Sequence, residues 1–116
     1  IAPFIKGEWL KEGCHLDLIG AFRPDMREAH DSALLRGSIF VDSYKTALHD
    51  IGELGIPLAN GVISRADVIN DFYGLCSGDT GRRHETEITI FKNGGGAHLD
   101  LAVATYIKHC FDETSR

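Results

Sequence analysis

Residues 87–107, EITIFKNGGGAHLDLAVATYI, set a β-branched run, three glycines and a helical apolar stripe in immediate succession. A strand that turns at once into a helix cannot continue as a hairpin, so its neighbours in a sheet are reached by crossover. The glycines leave three meanings open: a phosphate cradle, a wall beside a cofactor, or a tight turn.

The rest of the chain repeats the pattern. HLDLIGAF (residues 15–22) alternates and then turns fully apolar, as a buried strand does, and Pro24 ends it by lacking a ladder donor. Asp31 is placed to cap a short helix, SALLRG, that exits at Gly37. SIFVDS (residues 38–43) reads as a second buried strand. Tyr44, Ala47, Leu48 and Ile51 recur at helical spacing, and Gly55 with Pro57 is expected to end that helix. Ser64 and Asp67 resemble a capping box ahead of Val68, Ile69, Phe72, Leu75 and Cys76, read as one helix face closed by Gly78. A polar loop, SGDTGRRHET, precedes a third strand at residues 87–91. Leu99, Val103, Tyr106, Ile107 and Cys110 then form the stripe of a last helix.

Strands of buried type alternating with helices predict an α/β fold, a parallel sheet covered on both faces. Ligands of such sheets bind beyond the carboxyl ends of the strands, here residues 20–22, 42–43 and 92–96. Within 116 residues there is room for one domain. The net charge of −5, with no clustered Lys and Arg, argues against nucleic acid or an anionic membrane as partner. No apolar run is long enough to span a bilayer, and a cytoplasmic protein is expected. Cys14, Cys76 and Cys110 include no C-x-x-C pair and read as reduced, mostly buried thiols.

The chemistry-bearing patterns are sparse. NGGGAHLD fits neither G-x-x-x-x-G-K-[ST] nor G-x-G-x-x-G, which leaves a ligand contact and a plain turn equally open. The six histidines show no metal-ligand spacing and read as surface residues, so no metal is expected. There is no G-x-S-x-G elbow. Asp17, Asp25, Glu28 and Asp31 read as solvated loop carboxylates. The exception is RPD (residues 23–25), which puts a charge pair at a strand's carboxyl end.

HLDLIGAFRPDMRE, IFVDS, ALHDIGEL and GRRHETEITIFKNGGGAHLDLAVA together resemble the ornithine cyclodeaminase/mu-crystallin family, in order and over nearly the whole chain. The resemblance implies the second half of a Rossmann-type parallel sheet flanked by helices, with a returning C-terminal helix (about residues 97–116). It also implies NAD or NADP as cofactor. Members are about three times this length, and this chain opens in mid-phrase without Met, so a fragment of a longer protein is expected. The missing N-terminal half is then its partner, and a homodimer its assembly.

By the same resemblance, Ile19, Gly20, Ala21 and Phe22 match the loop that runs past the nicotinamide. Asn93 matches a cofactor contact that is usually Ser. The glycine run then resembles a wall of the nicotinamide pocket. Ornithine cyclodeaminase proper carries Asp and Lys where this chain has Phe22 and Met26. RPD instead resembles the branch that reduces cyclic ketimines such as pyrroline-2-carboxylate, or aminates a 2-oxo acid. An NAD(P)-dependent reductase of cyclic imino acids is therefore expected, with Asp25 either supplying a proton or ordering the site through Arg23. The alternatives are ornithine cyclodeaminase or alanine-dehydrogenase-type activity, and a non-catalytic crystallin-like binder of small ligands. The isolated chain is expected to be inactive.

Overall fold

Four short apolar runs pair into a single sheet. The computed structural model describes residues 2–114. Strands β1 (His15–Leu18), β2 (Ser38–Val41), β3 (Val68–Asn70) and β4 (Thr89–Lys92) are all parallel, in the order β1-β4-β2-β3. Helices α1 (Asp31–Leu34), α2 (Tyr44–His49), α3 (Gly52–Ala59), α4 (Phe72–Cys76) and α5 (Ala97–Thr114) connect or follow them. Leu18, Ile39, Val41, Val68 and Ile90 from the strands pack with Leu34, Leu48 and Leu54 from the helices to form the core. The parallel α/β architecture is the expected one.

The last strand in sequence lies between the first two. Lys92 is level with Leu18 on one side and with Val41 on the other. Three strands thus end at one height, and the loops after them share one rim.

Several local expectations change. The first strand ends at Leu18, not Phe22, because the amides of Gly20 and Ala21 bond a side chain, Glu28, instead of a neighbouring strand. Asp31 does not cap α1. His30 occupies that position, and Asp31 pairs at 2.7 Å with the buried Arg27. The helix expected to start at Tyr44 is two helices, broken at the extended, buried Ile51, and Pro57 lies inside the second. The break turns Gly52 N–H onto Arg23 O at 2.9 Å and starts a new helix from there.

The Ser64–Asp67 capping box is present, but it closes a 3-10 turn (Arg65–Asp67) rather than an α-helix. Val68 and Ile69 continue as β3, because β2 offers an open edge to two β-branched residues. Asp71 then caps α4 by accepting from Gly74 N. Cys76 is exposed and Cys14 and Cys110 are half-buried, so the thiols are less covered than expected. All six histidines lie on the surface.

The amino end of the sheet is tied by Glu87, which is buried. Its carboxylate accepts from Arg83 N, Ser38 Oγ and the Arg83 guanidinium. The Arg83 amide and then the Ser38 hydroxyl lower its pKa from 4.5 to about 2. A carboxylate held down in the folded state stabilises above its unfolded pKa and loses that contribution as pH falls through its folded one. Glu87→Gln should therefore lower stability at pH 7 and flatten the loss that the native protein shows between pH 4.5 and 2. Urea midpoints across that window check this, and identical acid limbs would contradict it.

Candidate functional site

Parallel pairing sets residues 19–22, after β1, beside residues 93–96, after β4. The ladder runs to its end at the rim: Asn93 N donates to Leu18 O at 3.1 Å. Ile19 and Phe22 are 68% and 65% exposed, Gly20 is exposed, Asn93 is half-buried and Ala21 is buried. The two loops form an open shelf rather than an enclosed cavity. Apolar side chains and backbone face out of it.

Each loop is fixed from below by one carboxylate that accepts two successive amides. Glu28 Oε2 accepts from Gly20 N at 2.7 Å and Ala21 N at 3.0 Å. Asp42, at the end of β2 and 5% exposed, accepts through Oδ2 from Gly94 N at 2.9 Å and Gly95 N at 3.0 Å. Its Oδ1 accepts from Ser43 N. Glu28 is therefore not the solvated loop carboxylate that its sequence context implied.

This geometry narrows the meaning of the glycines. Two amides that a phosphate cradle would need already serve a carboxylate, whose charge would repel an anion. Gly95 has φ +75°, a left-handed conformation that its two amide acceptors, Asp42 and Asn93 Oδ1, hold in place. A Cβ on Gly94 would press on Thr46, Ile51 and Asp42 at 3.1–3.3 Å. A tight, pinned turn accounts for these glycines.

Beneath the shelf lies a charged layer that the sequence reading did not single out. Lys92, wholly buried, donates from Nζ to Leu18 O at 3.0 Å. Desolvation lowers its pKa, while the nearby charges of Glu53, Glu28, Asp42 and Asp17 act in the opposite sense. Glu53, also wholly buried, accepts from Glu28 N at 2.7 Å and Ala29 N at 2.9 Å, and burial raises its pKa. Lys92, closing the apolar run TIFK, was the available signal for this layer, and Glu53 carried none of that kind. Side chains at such positions are buried, and a buried charge must be partnered.

Asp25 forms a two-pronged pair with Arg23, at 3.0 Å to Nε and 2.9 Å to the terminal nitrogen, on the exposed loop that follows Phe22. The bond from Arg23 holds its carboxyl below the usual range. A cleft of about 510 Å³ opens beside Asp42, with Phe72, Tyr73 and Leu99 among its walls.

The model of the ornithine cyclodeaminase/mu-crystallin family matches residues 1–115. The chain belongs to that family. Among its relatives, the Delta(1)-pyrroline-2-carboxylate reductase of Paracoccus denitrificans is 54% identical over 90% of this family member and 34% of its own length. An archaeal alanine dehydrogenase dimer with bound NAD superposes with a TM-score of 0.84 at 33% identity, covering 99% of this chain and 36% of that one. The Thermococcus litoralis Delta(1)-pyrroline-2-carboxylate reductase in complex with NADH and L-proline gives a TM-score of 0.77 at 32% identity, over 80% and 29%. This family member thus spans about a third of the length of the relatives it matches.

Proposed function

We propose that the chain supplies the nicotinamide side of an NAD(P)-dependent reductase of cyclic imino acids of the pyrroline-2-carboxylate type. The observation that carries this reading is the adjacency of the two loops: Ile19, Gly20 and Phe22 stand beside Asn93 on one rim, held by paired strands. The 54% identity to a pyrroline-2-carboxylate reductase supports that substrate over ornithine or a 2-oxo acid.

The shelf suits a flat ring bearing a carboxamide. Ile19 and Phe22 offer apolar surface, and Asn93, whose Oδ1 is engaged with Gly95, keeps an amide nitrogen to donate. Bound there, the cofactor supplies a hydride. This chain's residues orient the ring and keep water from one side of it. Asp25 is an anion at neutral pH, since Arg23 lowers its pKa. That supports its ordering the loop through Arg23 over its supplying a proton.

The remainder of the reductase, including the half that would hold the rest of the dinucleotide and the substrate, is proposed to complete the site. α5 then runs toward that substrate domain, and a cytoplasmic homodimer is the proposed assembly. Turnover of NADH with pyrroline-2-carboxylate by the full-length protein tests the activity. Binding of NADH without turnover would favour a non-catalytic role. In the same assay Asp25→Asn should cut the rate more than about tenfold, the size expected when a charged pair that orders a site is broken. An unchanged rate would remove Asp25 from the mechanism.

A further inference from the structure

We propose that Glu28 and Asp42 are positioning residues for the nicotinamide ring, each setting one wall of its shelf by accepting two successive backbone amides. The inference rests on the reading of the shelf as a cofactor site. It goes further by assigning work to two acids that lie behind the walls.

A loop that leaves a strand end must place its amides somewhere, and water would leave its shape loosely defined. Here Gly20 and Ala21 donate to one oxygen of Glu28, and Gly94 and Gly95 donate to one oxygen of Asp42. Bonds to a carboxylate are stronger than neutral ones. The acids reach the walls from different elements, Glu28 from the segment before α1 and Asp42 from the end of β2. Glu28 is itself anchored, because its own N–H donates to the wholly buried Glu53.

With these four amides engaged, the walls offer apolar side chains and the Asn93 amide nitrogen. They suit a neutral carboxamide over an anionic group. Gly20 fits the same scheme: a Cβ there would lie 2.6 Å from Glu28 Oε1, so any side chain would push the acceptor away.

The test uses the full-length protein and NADH, read by fluorescence titration alongside steady-state turnover of pyrroline-2-carboxylate. Glu28→Ala should weaken NADH binding roughly tenfold or more, the effect of losing bonds to a charged acceptor. The Michaelis constant for the imine at saturating NADH should stay within about twofold, on the same scale. Glu28→Gln keeps an oxygen that can accept both amides, and should recover most of the lost affinity. Asp42→Asn and Asp42→Ala should show the same order.

Gly20→Ala disturbs the contact from its other side, and decides the matter if Glu28→Ala does not fold. NADH constants equal to those of the native protein in Glu28→Ala or Gly20→Ala would overturn the proposal. So would a Glu28→Gln protein as impaired as Glu28→Ala. A native protein that binds NADH but turns over no imine removes the substrate reading alone, and the binding constants of the variants still decide the positioning.

Discussion

Replacing Glu53 by Ala is expected to destabilise the protein by about 3–5 kcal/mol. Glu53 is wholly buried in α3, and its two oxygens accept the amides of Glu28 and Ala29. Truncation strands two donors, the Ala29 amide within the core, where each lost partner costs about 1–3 kcal/mol. Glu53→Gln keeps one acceptor and should cost less.

The pH dependence has a sign opposite to that of Glu87. Burial raises the Glu53 pKa above its ordinary 4.5, so its stabilising protonation is complete below pH 4.5 and is lost as pH rises through the raised value. Urea midpoints of native and Glu53→Gln proteins should diverge across that rise and run parallel elsewhere. A Glu53→Ala protein within 1 kcal/mol of native, on the scale of an ordinary surface change, would show that the amides find other partners.

The 116-residue chain by itself is expected to self-associate and to bind NADH on the order of 100-fold more weakly than the full-length protein. Along α5, Leu101, Val103, Tyr106, Ile107 and Phe111 are 58–68% exposed, and no residue of that helix is buried. Exposed apolar surface of that extent marks an interface. β1 stands at one edge of the sheet, with its outer side open to another strand among the described residues. The chain carries the shelf proposed for the nicotinamide alone, the rest of the cofactor site being proposed to lie elsewhere in the reductase, and losing even about 2.7 kcal/mol of contacts lowers affinity about 100-fold. Light scattering after size exclusion, together with NADH titration, checks both halves. A monomer with native NADH affinity would contradict the proposed division of the site.

Much of the architecture was legible because its signals are local. Short apolar runs between polar and turn-forming segments announced three strands. Their alternation with helices predicted parallel pairing. The misread elements are those where a distant partner outweighed a local pattern. Val68 and Ile69 carry a helical stripe as readily as a strand, and the open edge of β2 decided between them. Tyr44 to Ile51 reads as one helix until the contact of Gly52 with Arg23 requires a break. The walls of the candidate shelf were visible as residues 19–22 and 93–96. Their supports were less so: Lys92 and Asp42 adjoin apolar strand runs, but Glu28 and Glu53 differ from solvated charges only in what surrounds them.

The order of residues along the chain determined which segments extend, which coil and where glycine must stand, since these follow from side-chain shape and backbone freedom within a few positions. Tertiary structure alone decided that β4 enters between β1 and β2, bringing residues 74 apart into register. It also decided that two carboxylates, the buried Asp42 and the half-buried Glu28, hold the two loops. Burial changes a charge from a solvated group into one that must find partners, and only the folded chain specifies which charges are buried.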